Sequence, residues 1–372
     1  MKVPYFVPWI TKDDKNAVIK GLSDRWLTNG PNLTKFENGI CNFLKSKHSI
    51  GVGSATQALH LSLRSIGIKS GDEVIVPTFT FVATANVVKY CNAKPILTDV
   101  DKETFNIIPS QIEKKITKRT KAIIVVHYGG QSCDMKQIMK IAHKNKISVI
   151  EDCAHAFGSQ YRKRFCGNFG ETGCFSFYPT KIITTGEGGA VTTNNLKIAK
   201  KIKLLRSQGM DTSPEKRERE GKWRYDVIDL GYNYRLDEIR ASLGNSQLKR
   251  VNLINKKRIK IAKLYDKELK NIKGIRIPHT NPDRNHIYHL YTIKVDGYHL
   301  SRNQLYKKLS KNGVGVSVQW YPVHLMSLYK QEYKSKMNQF PNSNILKDQV
   351  ISLPIFPTMT KKQVEKVVSL IK

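Results

Sequence analysis

The chain has 372 residues, of which 40% are hydrophobic and 25% charged, and its formal net charge is +33. This composition excludes an intrinsically disordered protein, and the length is sufficient for a large core and for two domains. No segment approaches the roughly 18 apolar residues of a membrane span, and the N-terminus lacks the apolar stretch of a signal peptide, so we expect a cytoplasmic protein with no membrane partner.

The positive charge is spread along the whole chain and comes mostly from lysine. The densest patch, Lys216–Arg224, is interleaved with glutamates and is predicted to be a solvated loop in a mobile, charged insertion at residues 211–224. Nucleic-acid-binding proteins instead concentrate arginine and aromatic side chains on one face. We therefore expect no nucleic-acid partner, although DNA or RNA binding stays open as an alternative. The charge would equally attract an anionic substrate.

The six cysteines show neither Cys-x-x-Cys spacing nor matching pairs of histidines. Such spacing is the usual sequence sign of a structural zinc site. We expect no bound metal, and reduced thiols as in a cytosolic enzyme.

Over the first 250 residues, short Val- and Ile-rich runs alternate with amphipathic segments. This alternation predicts an α/β fold with a mostly parallel, doubly wound sheet that is covered by helices on both faces. The predicted strands are Glu73–Val76, Pro95–Thr98, Ala122–Val126, Ser148–Glu151, Gly173–Phe177 and Gly189–Thr193. The predicted helices are Thr56–Ile66, Val82–Tyr90, Pro109–Ile116, Met135–Lys144 and Leu196–Arg206.

The remainder of the chain is predicted to form a smaller α+β domain. Apolar residues recur at helical spacing over Leu236–Lys263, which predicts one long helix. The segments after it are predicted to be strand, helix, strand and helix: Tyr288–Val295, Gln304–Leu309, Val314–Trp320 and Val364–Ile371. We therefore expect a large domain at residues 1–250, including the N-terminal segment, and a small domain at residues 251–372.

A glycine-rich turn, Gly51–Gly53, leads into the first predicted helix. The Ser54 and Thr56 hydroxyls and the backbone N–H groups would converge at the start of this helix, where a phosphate group binds well. Ser54 could equally be an ordinary N-cap, since serine is common at that position. The chain lacks both the P-loop and the dinucleotide-binding glycine motif.

A carboxylate and a lysine stand at the ends of two predicted strands. Asp152 follows an apolar strand, where open α/β sheets present ligand-contacting groups. Lys181 lies between the strand ending at Phe177 and the turn Gly186–Gly189, so a ligand can approach it closely. Singly, each residue could be structural. Together, a lysine able to form a Schiff base and an aspartate able to pair with a pyridinium nitrogen are the minimum equipment for pyridoxal phosphate (PLP) chemistry.

The motifs of the chain resemble, over nearly its whole length, those of sugar-nucleotide aminotransferases of the DegT/DnrJ/StrS type. The motifs are Trp26–Pro31, Ser54–Thr56, Gly71–Pro77, Phe79–Thr84, Glu151–Ala156, Phe175–Gly189, Leu230–Arg235 and Tyr321–Leu325. The resemblance implies a fold type I PLP-dependent transferase, with a mostly parallel, seven-stranded-type sheet flanked by helices and a smaller C-terminal α+β domain.

The resemblance also implies roles for individual residues. Lys181 would hold the cofactor as a Schiff base and shuttle a proton, Asp152 would keep the pyridine nitrogen protonated, and His155 would lie beside the ring. Cofactor contacts are implied for Ser54, Ala55, Thr56 and Ser176 at the phosphate, for Phe81 on the ring face, and for Asn233 and Arg235 of a neighbouring subunit. Substrate contacts are implied for Thr28, Tyr178, Glu187 and His324. His155 and Phe81 could instead be ordinary core residues. Asn233 and Arg235 could belong to a structural turn, and His324 could simply begin a helix.

The implied reaction transfers an amino group from L-glutamate, through the pyridoxamine phosphate (PMP) form of the cofactor, to a keto carbon of a nucleotide-linked 4-keto-6-deoxyhexose. Related dehydratases carry histidine in place of the lysine, so Lys181 favours transamination. The segments Gln131–Met135, Ile182–Gly189 and Tyr321–Leu325 most resemble enzymes that aminate C4 of UDP-4-keto-6-deoxy-N-acetylhexosamines, as in surface-glycan biosynthesis. The implied assembly is a homodimer with shared active sites.

Three departures from the family pattern leave the acceptor open. Gly53 stands where asparagine is common, Tyr178 where histidine is common, and Leu236–Glu238 where Met-Thr-Asp is usual. Amination at C3, a dTDP- or GDP-linked sugar, and a non-catalytic PLP-binding regulator are the alternatives.

Overall fold

The structure is a computed structural model that describes residues 1–23, 26–212, 217, 220–221, 223–333 and 338–372. The predicted charged insertion at residues 211–224 falls in large part outside the described residues and stays a prediction. Among the residues described, no helix combines the length and the apolar character that a bilayer crossing requires.

A seven-stranded sheet forms the centre of the fold. The strands of the structure are β1 His48–Val52, β2 Glu73–Pro77, β3 Lys94–Thr98, β4 Thr120–Val126, β5 Ser148–Asp152, β6 Gln160–Tyr161, β7 Arg164–Phe165, β8 Thr172–Ser176, β9 Gly189–Thr193, β10 Ile275–Arg276, β11 Arg284–Asn285, β12 Tyr291–Val295 and β13 Val350–Leu353. The central sheet has the order β1-β9-β8-β5-β4-β2-β3, and β9 runs opposite to the other six strands. The predicted α/β class with a mostly parallel sheet is confirmed.

Helices cover this sheet and the C-terminal part of the chain. They are α1 Lys12–Ser23, α2 Pro31–Leu44, α3 Ala55–Ser65, α4 Ala83–Tyr90, α5 Pro109–Lys115, α6 Met135–Asn145, α7 Leu196–Arg206, α8 Glu238–Leu248, α9 Val251–Leu269, α10 Arg302–Lys311, α11 Ser327–Tyr333, α12 Pro341–Gln349 and α13 Lys361–Ser369. Every strand and helix predicted between residues 56 and 206 is present. The structure adds α1, α2 and β1, which the sequence pattern did not indicate.

Both faces of the central sheet are buried, which explains the continuous apolar runs of its strands. In β2, Val74 and Val76 pack into one hydrophobic cluster, whereas Ile75 packs into the cluster on the opposite face. In β5, Ile150 and Val149 divide between the two clusters in the same way. Successive side chains of a strand point to opposite faces, so an all-apolar run is the expected signature of such a sheet.

The predicted glycine-rich turn is shorter than the sequence suggested. Gly51 and Val52 belong to the edge strand β1, which pairs antiparallel with β9. A methyl group on Gly51 would lie 2.7 Å from Cδ1 of Leu33 on α2. Gly51 therefore permits the close packing of α2 over β1, and the turn into α3 is confined to Gly53 and Ser54.

The prediction of a single helix over Leu236–Lys263 is wrong, because the helix is interrupted between α8 and α9. At the break, Arg250 has φ −111° and ψ 3°, outside helical geometry. Its guanidinium pairs with the buried carboxylate of Asp14 at 2.7 Å and donates to the carbonyl of Trp9 at 3.3 Å. These long-range contacts tie the break to the N-terminal segment, and helical spacing cannot reveal them.

The C-terminal sheet also differs from prediction. β12 pairs with β10 on one side and with β13 on the other. The strand predicted at Val314–Trp320 is wrong, because that segment makes isolated bridges only, from Val314 to Val3 and from Ser317 to Ser352. The run Val350–Leu353 pairs with β12 in its place.

The N-terminal and C-terminal segments interleave with the two sheets. Val3 lies in the hydrophobic core of the C-terminal sheet. Conversely, Tyr329 and Phe340 lie in a core cluster of the central sheet. The domain boundary at residue 250 stays a prediction.

Glu151 anchors the loop that follows β7. Its buried carboxylate accepts hydrogen bonds from the backbone N–H groups of Gly167, Phe169 and Gly170 at 2.8, 2.6 and 2.9 Å. It also lies 2.9 Å from Nε2 of His127, whose Nδ1 accepts the Cys133 N–H. With Cys153, this group has metal-ligand chemistry. The hydrogen bonds nevertheless account for both carboxylate oxygens and both ring nitrogens without an ion.

Glu151→Ala should lower the free energy of unfolding by roughly 3–5 kcal/mol, because several buried donors lose their acceptor at once. Urea denaturation followed by circular dichroism, at a constant protein concentration, measures the change. Glu113→Ala, at an exposed carboxylate on α5, is the matched control and should stay near wild type. Equal shifts for the two variants would contradict the anchoring role.

Candidate active site

A cavity of about 470 Å³ opens at the carboxyl ends of the parallel strands. Its wall includes Val126 at the end of β4, Asp152 at the end of β5, Ser176 at the end of β8 and the first turn of α3. This edge is where open α/β sheets bind ligands. The cavity brings together ten predicted site residues: Ser54, Ala55, Thr56, Phe81, Asp152, His155, Ser176, Tyr178, Lys181 and Glu187.

Asp152 is a buried carboxylate held by two donors. Its Oδ1 accepts the Ala154 N–H at 3.1 Å, and its Oδ2 accepts the hydroxyl of Thr84 at 3.0 Å. Burial raises the pKa of Asp152, while these donors and the charge of Lys181 partly oppose the shift. Because side chains alternate along β5, Asp152 faces the cavity while Glu151 faces the anchored loop.

Lys181 lies on a loop between β8 and β9, and most residues on either side of this loop are buried. Phe177 donates its N–H to the carbonyl of Gly188 and accepts the N–H of Thr185, both at 2.9 Å, and Ile182 next to the lysine is buried. Burial lowers the pKa of Lys181 from 10.5 to about 8, and the negative charge of Asp152 limits that fall. The loop thus presents a partly desolvated amine that can lose its proton near neutral pH.

His155 is held as a neutral ring. The N–H of Gly129 donates to its Nδ1 at 3.3 Å, so the ring proton lies on Nε2. Burial, and then the charge of Lys181, place the pKa of His155 well below its usual value. The indole of Trp320 stacks nearly parallel to the ring, with centroids 5.9 Å apart.

The first turn of α3 provides donors at the opposite end of the cavity. Ser54 is the N-cap and accepts the Gln57 N–H at 3.2 Å, so the alternative prediction of an N-cap is correct. Ser54 also lines the cavity. The N–H groups of Ala55 and Thr56 have no hydrogen-bond partner among the described residues, as is usual at a helix start. These free donors suit an anion.

Four predicted residues lie outside this cavity. Thr28 and Arg235 line a separate cavity of about 710 Å³, and Asn233 is exposed. His324 is fully buried, with Nδ1 at 2.7 Å from the hydroxyl of Thr78 and Nε2 at 3.0 Å from Oδ1 of Asn344. Both of its ring nitrogens are therefore engaged within the chain, which gives it a packing role here.

Sequence reasoning missed Thr84, His289, Gln319 and Trp320. Thr84 binds Asp152, and the other three line the cavity. Trp320 also packs against Phe81, with ring centroids 5.2 Å apart. Nothing in the local sequence relates residues 289–320 to the sheet edge, since the contact depends on how the C-terminal segment folds back.

These features fit PLP. The buried carboxylate of Asp152 suits a protonated ring nitrogen, Lys181 suits the aldehyde carbon, and the free N–H groups at the start of α3 suit the phosphate. The cavity, the fold and this donor set define the class of PLP-dependent aminotransferases of fold type I. Residues 8–372 match the DegT/DnrJ/EryC1/StrS aminotransferase family, and the chain belongs to that family.

Three relatives match along most or all of the chain. MJ1066 of Methanocaldococcus jannaschii, described as uncharacterized, is 44% identical, with 100% of this chain and 97% of the relative covered. The spore coat polysaccharide biosynthesis protein SpsC of Bacillus subtilis is 37% identical, with 100% and 96% covered. GDP-perosamine synthase of Caulobacter vibrioides is 37% identical, with 88% and 87% covered.

Solved structures agree with this fold. Spr1654 of Streptococcus pneumoniae in its PLP form superposes with a TM-score of 0.93 at 28% identity, covering 100% of this chain and 98% of that chain. Helicobacter pylori PseC, an aminotransferase involved in the biosynthesis of pseudoaminic acid, superposes with a TM-score of 0.93 at 32% identity and the same coverage. The enzyme class, a sugar aminotransferase with a PLP cofactor, follows from the family and these neighbours, and the sequence prediction of both is confirmed.

The pKa of Lys181 predicts how cofactor capture depends on pH. A lysine attacks an aldehyde only when neutral, so the rate of PLP capture by the cofactor-free protein should rise with pH to a midpoint near 8 and fall about tenfold per pH unit below it. Asp152→Asn should move the midpoint to lower pH, because the carboxylate stabilises the ammonium form. Stopped-flow absorbance measures both midpoints.

The control for this experiment is Asp348→Asn, which neutralises an exposed carboxylate on α12 and should leave the midpoint unchanged. An upward shift in Asp152→Asn, or a wild-type midpoint near the 10.5 of an ordinary lysine, would contradict the assignment.

Proposed function

We propose that the protein transfers the amino group of L-glutamate to C4 of a UDP-linked 4-keto-6-deoxy-N-acetylhexosamine, in the biosynthesis of a surface-glycan amino sugar. The observation that carries the catalytic part is the placement of Lys181 and Asp152 in the wall of one cavity. Family relatives support the substrate class, since SpsC is named for polysaccharide biosynthesis and PseC for pseudoaminic acid biosynthesis. The cytoplasmic location inferred from the sequence stays a prediction.

A GDP-linked acceptor is the second candidate. It is favoured by the 37% identity to GDP-perosamine synthase, which extends over 88% of the chain. The proposal of C4 and of a UDP group rests on three segments that resemble enzymes aminating C4 of UDP-linked keto sugars. These segments are Gln131–Met135, Ile182–Gly189 and Tyr321–Leu325. Amination at C3 and a dTDP-linked sugar stay open as outcomes of the test.

Lys181 is the proposed proton carrier. When bound, PLP supplies the electron sink that stabilises negative charge at the carbon whose amino group is transferred. With its lowered pKa, Nζ of Lys181 can give up a proton near neutral pH and return it within the same cavity. A histidine at this position would favour the related dehydration chemistry, so the lysine supports transamination.

Asp152 and His155 are proposed to orient the cofactor. Thr84 and the Ala154 N–H hold the Asp152 carboxylate in place, where it would pair with the protonated ring nitrogen of PLP. The neutral His155 ring can offer its Nε2–H as a donor while adding no positive charge beside Lys181. Ser54, Thr56 and Ser176 would bind the phosphate from the strand-end side.

Two subunits are proposed to share each site. Asn233 and Arg235 lie outside the cavity of their own chain, as expected for residues that serve a neighbour. Large apolar side chains are exposed close by, among them Val227, Ile228 and Leu230. An exposed apolar surface of this kind is typical of an association surface.

The substrate assignment is tested by incubating the purified enzyme with PLP, L-glutamate and UDP-, dTDP- and GDP-linked 4-keto-6-deoxy sugars. A ketone-to-amine mass change with the UDP sugar is expected, and Lys181→Ala should lower its rate by at least about 10³-fold. Lys136→Ala, at an exposed lysine on α6, is the matched control. Full turnover by Lys181→Ala would overturn the catalytic assignment, and amination of the GDP sugar alone would favour the second candidate.

Site sharing is tested by mixing two defective variants, Lys181→Ala and Arg235→Ala, after each has been shown to be inactive. In a mixed dimer, one site combines an intact Lys181 with an intact Arg235 from the partner subunit. Random re-association should therefore restore about a quarter of the wild-type sites. Absence of any recovery, with mixed dimers shown to form, would place Arg235 in its own chain's site.

A further inference from the structure

A single turn after β4 holds three parts of the cavity wall. The turn comprises Tyr128–Gly130. The N–H of Gly129 donates to the ring of His155, and the carbonyl of Gly129 accepts the N–H of Leu290 at 3.2 Å. The hydroxyl of Tyr128 donates to the carbonyl of Gln319. Hydrogen bonds to this turn thus bring together the segment after β5, residues 286–290 and residues 319–320.

Gly130 makes this close approach possible. It has φ +96°, in the left-handed region, and a methyl group there would lie 2.8 Å from Cγ1 of Ile287 and 3.2 Å from the backbone nitrogen of His289. Its carbonyl accepts the Ile287 N–H at 3.2 Å. The guanidinium of the buried Arg258 binds the carbonyls of Tyr288 and His289. The backbone around His289 is therefore fixed by hydrogen bonds to the turn and to Arg258.

The His289 side chain is buried, and its Nδ1 has no hydrogen-bond partner among the residues that the structure describes. It is only 5% exposed, lines the cavity, and lies with its ring centroid 4.3 Å from that of His155. Two neighbouring wall atoms, Oε1 of Gln319 and Nε1 of Trp320, are buried and equally unpartnered. Buried polar groups usually have partners, so this wall is built to meet a bound molecule.

The chemistry of the wall selects the kind of ligand. Burial above all, together with the positive charges of Lys181 and Arg258, lowers the pKa of His289 well below its usual value, so the ring is neutral. A neutral imidazole and a primary amide each both donate and accept hydrogen bonds, as hydroxyl and acetamido groups do. A carboxylate only accepts and is best matched by cations. The wall therefore suits the hexose of the acceptor better than the carboxylates of glutamate.

We infer that His289 and Gln319 hydrogen-bond the hydroxyl or acetamido groups of the acceptor hexose and so determine its selection over the α-keto acid. The inference rests on the proposed function, since it assigns a sugar subsite within the same cavity. His289 and Gln319 are thereby specificity residues that contact the substrate.

The test compares two acceptors on one enzyme form. The PMP enzyme is reacted separately with UDP-4-keto-6-deoxy-N-acetylglucosamine and with 2-oxoglutarate, and the return of the PLP absorbance gives a rate constant for each. In His289→Phe and in Gln319→Met, the ratio of the rate constant for the sugar to that for 2-oxoglutarate should fall about tenfold. This is the effect expected from losing one or two substrate hydrogen bonds. His289→Gln, which restores a donor and an acceptor, should recover part of the ratio. His143→Phe, at an exposed histidine on α6, is the matched control and should leave the ratio unchanged.

A second readout is independent of turnover. Calorimetry of the PLP enzyme with UDP-N-acetylglucosamine, which has no ketone to react, should show weaker binding in His289→Phe and Gln319→Met by a similar factor. An unchanged rate ratio in both variants, or an equal loss with both acceptors, would overturn the inference and leave the proposed function standing. A wild-type enzyme that reacts with 2-oxoglutarate but with no UDP-, dTDP- or GDP-linked 4-keto sugar would overturn the proposed function and the sugar subsite with it.

Discussion

The site depends on the removal of water from Asp152 and Lys181 together. Burial favours the neutral form of each group, so it raises the pKa of the carboxyl and lowers the pKa of the amine. The charge of each group opposes the shift of the other, because each favours the charged form of its neighbour. The two-sided sheet supplies this dry environment, because its strands are covered on both faces and end at the cavity.

β5 shows how the fold combines stability and chemistry in adjacent residues. Glu151 faces the loop at residues 167–170 and satisfies its backbone donors, while Asp152 faces the cavity. The turn Tyr128–Gly130 after β4 positions further residues of the cavity. It binds the ring of His155 and makes hydrogen bonds to the segments that carry His289 and Gln319. Residues more than 150 positions apart in sequence therefore form one wall.

Prediction from sequence worked where the physical signal is local. Between residues 56 and 206 the buried strands are continuous apolar runs and the helices have amphipathic spacing, and Asp152, Lys181 and the start of α3 lie at or near the ends of these segments. Prediction failed where a distant contact decides: Arg250 leaves the helix to bind Asp14 and Trp9, and Val350–Leu353 displaces Val314–Trp320 as the partner of β12. The buried pairing of His324 with Thr78 and Asn344 was hidden for the same reason.

The sequence by itself determined the α/β class through its apolar runs and amphipathic segments. It determined the PLP-dependent aminotransferase chemistry and most of the predicted residues around the cavity through motifs that resemble those of a known family. Only the tertiary structure decided that His324 is engaged in packing, that Thr28 and Arg235 line a different cavity, and that His289, Gln319 and Trp320 complete the wall. The physical reason is that burial, pKa shifts and unpartnered polar atoms arise from segments brought together by folding, and no local pattern encodes which segments those are.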